Sequence, residues 1–167
     1  MLSFLNIWSI FYRMPETLTP LRSKIQTGRA MHSLVRRFHG DLENILISQG
    51  KQTLPLSSLD LEEFHKFVRE IPYRRDDAPV EVVARPSRIV TMSSTDCKKK
   101  GILMGSYFKH HNIPFRFLAL STRPDRQAHH VAPQFRYEGD WVNADATYRY
   151  QRIGMPKRVT SAEVLKP

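Results

Sequence analysis

The stretch "TDCKKKGILMGSYFKHHNIPFRFLAL", residues 95–120, contains a change of period that decides the fold. From Asp96 the residues suit a helix. Thr95 and Asp96 can cap its start, and Asn112 and Pro114 end it near His111. After Pro114, "FRFLAL" (115–120) reads as a strand. Downstream, "HHVAPQFRY" (129–137) and "WVNADATY" (141–148) are further strands, joined by the turn Glu138-Gly139-Asp140. Pro133 cannot donate to a sheet ladder, so its strand should lie on an edge or carry a bulge.

Upstream the pattern is helical. Met31, Leu34, Val35, Phe38, Leu42, Ile45 and Leu46 form one apolar stripe from Thr27, with Gly40 a weak point. "SQGKQTLPLSS" (48–58) reads as a loop. A second helix starts near Asp60, with Glu63 completing a capping box, and Pro72 stops it. Between the helices, "YRRDDAPVEVVARPSRIVTMSS" (73–94) is an irregular crossing with a turn at Asp77–Pro79 and a break at Pro86. Helices first and antiparallel strands after make an α+β fold, in which N-terminal helices pack on a small sheet. The expected division is an apolar and basic arm over 1–26, one domain over 27–150 and a weakly patterned basic tail over 151–167.

The bulk numbers bound the function. A chain of 167 residues with 41% hydrophobic residues supports a real core. The formal charge of +10 favours polyanionic partners, and nucleic acid enters only through that charge. One cysteine excludes an internal disulfide. The apolar segment "MLSFLNIWSIFYR" (1–13) is too short to span a bilayer and lacks a basic n-region and a cleavage site. It reads as a segment packed on the domain or docked on a partner. The expected location is cytoplasmic or virion-associated, without a signal peptide or membrane span.

The single cysteine, Cys97, would sit at a helix start, where free N–H groups and the dipole meet its sulfur. Lys98, Lys99 and Lys100 add positive charge, and both effects favour thiolate over thiol. A nucleophile also needs a base and an orienting group. His129 or His130 and Asp145, on neighbouring strands, can supply them. Successive strand residues alternate in direction, so only one of the two histidines can face the cysteine. Taken alone, a lone cysteine such as Cys97 is more commonly a small buried hydrophobe. His110 and His111 read as ordinary helix C-terminal residues, and Arg74–Arg75–Asp76–Asp77 as a solvated, self-compensating turn.

The ordered pieces "TDCKKKGILMGSYFKHHNIPFRFLAL" and "HHVAPQFRYEGDWVNADATY", with "FVREIPYRRD" and "VEVVARPSRIV" before them, resemble the transglutaminase-like superfamily of cysteine acyl-transfer enzymes and peptidases, particularly its small bacterial and phage-encoded members. The resemblance covers about residues 64–148 and implies a papain/transglutaminase-like core. It implies Cys97 as nucleophile, His130 as general base and acid, because the family's histidine precedes the valine, and Asp145 as orienter. The implied reaction attacks a peptide or Gln-side-chain carboxamide through a thioester, with protein or peptidoglycan-peptide substrates. Backbone N–H groups at the helix start would meet the oxyanion, and Tyr73 is a candidate second donor. Thr95 stands where the family has glycine, and Lys98 and Lys99 where it has acidic residues. The two lysines argue against a metal there and for an acidic substrate, and no cofactor is expected. The alternative is an inactive fold serving as a structural component of a phage virion or other assembly.

Overall fold

A computed structural model describes residues 21, 23–76 and 82–167. Most of the N-terminal arm and the Asp77–Pro79 turn lie outside the described residues. The first helix, α1 (Lys24–Phe38), opens on Ser23, whose side chain accepts from the Gln26 N–H. The helical stripe does not run unbroken to Leu46. It stops at the His39–Gly40 turn, and a single-turn helix, α2 (Asp41–Asn44), follows.

The stretch read as a loop is a hairpin of β1 (Leu46–Gln49) and β2 (Gln52–Pro55), closed by the pair Gln49–Gln52. Its two-residue turn is Gly50-Lys51, with Gly50 at φ 64°. Glycine in that position is a hairpin signal in the sequence, but the flanking strands LISQ and QTLP are short and show no apolar alternation. A 3-10 turn (Leu56–Ser58) leads to α3 (Leu61–Glu70). Here the capping box forms as expected. Asp60 Oδ1 accepts from Glu63 N–H at 2.8 Å, and the Asp60 N–H donates to Glu63 Oε2 at 3.3 Å. Pro86 opens the short helix α4 (Pro86–Ile89) where a break was expected, because proline suits the first helical position, whose N–H has no intrahelical acceptor.

The central element is α5 (Cys97–His110). From Lys99 to Phe108 every residue is buried. A helix buried all round must be walled on each side. Helices α1, α3 and α4 pack against it on one side and the main sheet on the other. Gly105 permits the closest approach to the sheet, since a Cβ there would lie 2.7 Å from the tip of the Phe117 ring.

The sheet is antiparallel, in the order β5-β4-β3-β6, with β3 Phe115–Ser121, β4 His130–Tyr137, β5 Asp140–Asn143 and β6 Ser161–Leu165. The turn between β4 and β5 has positive φ at Glu138 and Gly139, as a tight hairpin requires. Two strand expectations change. The tail is not unpatterned, because β6 pairs with β3 from Phe117–Leu165 to Ser121–Ser161. Pro133 lies on an interior strand. Its carbonyl accepts from the Ala144 N–H at 3.0 Å, on the β5 side. In an antiparallel ladder a residue's N–H and C=O point the same way, so the missing donor faces the side where the β4–β5 register has ended at Gln134–Asn143. The sheet therefore loses no bond to β3. The architecture is α+β, with helices on one face of a small antiparallel sheet.

Candidate active site

Cys97 occupies the first position of α5, with Asp96 as N-cap. The Asp96 carboxylate accepts from the Lys99 N–H at 2.9 Å. This leaves the earliest N–H groups of the helix without intrahelical acceptors, beside the sulfur. Tyr73 is held alongside by a parallel bridge to Thr95, in which Thr95 N–H donates to Pro72 O at 2.8 Å and Arg74 N–H to Thr95 O at 3.0 Å.

His130 opens β4, and Asp145 lies two residues beyond the end of β5. The hairpin between them brings their side chains together. His130 Nε2 meets Asp145 Oδ2 at 2.6 Å, with the carboxylate 1% exposed and the ring 8%. With Nε2 on the carboxylate, Nδ1 is the nitrogen left for Cys97, which is close enough to act on the ring's pKa. Burial pulls the imidazole's pKa down. The bonds to Asp145 and Cys97 and the charges of both residues outweigh it and carry the pKa up to about 9. Burial also raises Asp145, but the His130 bond and charge, with the Lys157 ammonium, hold it far below the usual carboxylate range. His129 turns the other way, its ring near Thr122 Oγ1 and Gln127 O, each at 3.3 Å.

Asp145 is gripped by residues that the sequence did not single out. Oδ2 also accepts from Gln151 Nε2 at 2.8 Å and Lys157 Nζ at 2.5 Å, and Oδ1 from the Thr147 N–H at 3.0 Å. Its backbone carbonyl meets His65 Nε2 of α3 at 3.1 Å. Lys100, 1% exposed, donates to Thr147 O at 3.0 Å and Arg69 O at 3.3 Å, tying α5 to the Asp145 loop and to α3. Burial lowers the Lys100 pKa to about 8. None of these carries a local signature. His65 reads as part of an amphipathic helix, and Lys157 as one of 26 basic residues.

The other lysines find acidic partners within the chain. Lys98 Nζ lies 2.8 Å from Asp96 Oδ2. Lys99 Nζ reaches both oxygens of Asp76, at 2.8 and 3.0 Å. Asp76 is therefore not a solvated turn residue but the partner of a buried lysine. The charge that suggested an acidic substrate is matched by Asp96 and Asp76. Tyr73 is raised to about 12, by burial first and then by Cys97, so its hydroxyl keeps its proton. The Tyr73 ring lies 5.1 Å from that of Tyr148, which stacks at 5.7 Å on Tyr150. His111 Nε2 lies 3.0 Å from Ser57 O. Among the described residues, no group of three His, Cys, Asp or Glu is arranged to hold a metal ion, and no helix is long and apolar enough to cross a membrane.

No family model matches the chain, and no curated protein does. Among solved structures, a "Putative Cysteine Protease" from Cytophaga hutchinsonii aligns over 78% of this chain and 40% of its own, with a TM-score of 0.42 and 15% identity. The chain thus spans less than half the length of that protein. The functional reading rests on the arrangement of Cys97, His130 and Asp145.

Proposed function

We propose that this protein is a transglutaminase-like cysteine hydrolase or acyl-transferase acting on carboxamides, with Cys97 as nucleophile, His130 as general base and acid, and Asp145 as orienter. The observation that carries the reading is the buried His130–Asp145 pair at 2.6 Å, with Cys97 at the start of α5 close enough to raise the same ring's pKa. A structural cysteine has no need of a charged imidazole that burial alone would neutralise.

The steps follow from the arrangement. The proton of the Cys97 thiol passes to His130, and the sulfur attacks the carbonyl carbon of a peptide bond or Gln side chain. The oxyanion is met by backbone N–H groups at the start of α5, with the Tyr73 hydroxyl beside them. His130 gives its proton to the leaving nitrogen, the C–N bond breaks and a thioester remains. Water, deprotonated by His130, adds to the thioester, and the C–S bond breaks to return the thiol and release the acid. An amine in place of the water gives transfer. Asp145 holds the ring's orientation and stabilises the imidazolium.

The test is covalent trapping. Peptide aldehydes and glutamine-containing peptide substrates are incubated with the protein, and intact mass and ammonia release are read. The proposal expects a Cys97 adduct and turnover that disappear in Cys97→Ser and His130→Ala. Turnover surviving in Cys97→Ser would remove the nucleophile from the account.

A further inference from the structure

Three donors converge on one oxygen of Asp145, and only one of them belongs to the triad. Lys157 reaches that oxygen from the segment between β5 and β6. β6 anchors this segment by pairing with β3, the strand next to the one that begins with His130. Its side chain is 23% exposed and meets a carboxylate that is 1% exposed. A surface ion pair of convenience would not reach so deep.

We propose that Lys157 is a positioning residue that clamps the Asp145 carboxylate and limits how strongly this carboxylate holds the His130 proton. The inference rests on the triad reading given above. Lys157 and His130 meet on the same Oδ2, so their nitrogens are no more than about 5 Å apart. Two cations at that distance oppose each other. Lys157 thereby offsets part of the stabilisation that Asp145 gives the imidazolium, leaving a ring that can still release its proton in the second half of the cycle. Gln151 fixes the same oxygen without charge, and Thr147 N–H fixes the other. Among the described residues, the charged and titratable groups around the pair also include Cys97 and Lys100 of α5, His65 of α3, which faces the Asp145 carbonyl, and Glu70 and Arg149, which act through Lys100. None of these reaches the carboxylate oxygens by a hydrogen bond, so Lys157 is the cation best placed to set the balance.

The full chain and the variants Lys157→Met, Lys157→Gln and Lys157→Arg are compared. The readouts are the His130 ring titration by NMR and the pH dependence of Cys97 alkylation by iodoacetamide. Removing the charge should move the His130 midpoint upward by about 0.6 to 2.4 pH units, for an effective dielectric between about 80 and 20. Met and Gln should shift it alike, and Arg should leave it near the wild-type position. Thermal unfolding of each variant separates a loosened C-terminal segment from a charge effect, because a purely structural role would lower the melting temperature without moving the midpoint. If Met and Gln titrate with the wild-type midpoint, or if Arg shifts as far as they do, the proposal is overturned. The triad reading stands apart from this result. It fails if His130→Ala leaves alkylation unchanged in the wild-type background, whatever Lys157 does.

Discussion

Asp145→Asn is the substitution with the sharpest consequence. It keeps shape and removes the charge. Oδ2 accepts from His130, Gln151 and Lys157, and Oδ1 from the Thr147 N–H. An asparagine amide has one accepting and one donating end, so in either orientation a donor meets a donor. The imidazole loses the partner that keeps it charged, while the burial that opposes its charge remains. Its midpoint should fall from about 9 to 6.5 or below. A fall of two units or more corresponds to about 3 kcal/mol of lost preference for the imidazolium. Catalysis by the proposed route should drop on the order of 10⁴-fold, the scale seen when a triad carboxylate is made an amide. Leaving the buried Lys157 without its anion should also cost about 3 kcal/mol of stability. The assay is an NMR titration of the His130 ring with urea unfolding of the same samples. An asparagine variant whose ring still titrates near 9 would show that Asp145 is not what holds the proton, and the electrostatic argument would fail.

Other outcomes follow from neighbouring groups. The folded-state pKa of His130 is raised to about 9 from 6.5, so its stabilisation is full below about pH 6.5 and fades as pH rises through 9. Lys100 has its pKa lowered to about 8 from 10.5, so its buried charge opposes folding below about pH 8, and this cost is relieved as pH rises toward 10.5. The two trends oppose each other, and stability-versus-pH curves of His130→Ala and Lys100→Met should each lack one of them. Gly105→Ala would bring a methyl to 2.7 Å from the Phe117 ring, and overpacking there should cost about 1–3 kcal/mol, read as a lower urea midpoint at unchanged slope. Asp60→Ala removes the cap and half of the capping box of α3, and should cost about 1 kcal/mol in the same assay.

What the sequence made legible was local. Asp60 and Glu63 lie three residues apart and fix the start of α3 by their own hydrogen bonds. Asp96 caps α5 in the same way, and Asn112 and Pro114 bound its end. The change of period at Pro114 marks β3 because the strand is buried along most of its length. What was not legible depends on distant partners. β6 is mostly exposed and exists because β3 offers an open edge. β1 and β2 are four residues each with no apolar alternation, so only the Gly50-Lys51 turn betrays them. The same division holds at the site. Cys97, a histidine at 129 or 130 and Asp145 stand out by residue type and order, with one hairpin turn between the last two, while the choice of His130 came from the resemblance to the transglutaminase-like superfamily. Lys157, Gln151, His65 and Lys100 act through contacts that a linear pattern does not encode.

The central claim is that Cys97 and His130 form one reactive pair. The most direct test is the rate of Cys97 alkylation by iodoacetamide from pH 5 to 10, in the wild type and in His130→Ala. The account predicts that the alkylation profile of the wild type changes near pH 9, as the imidazolium loses its proton. That change should be absent in the alanine variant. Superimposable profiles would contradict the account and return Cys97 to the core as an ordinary buried thiol.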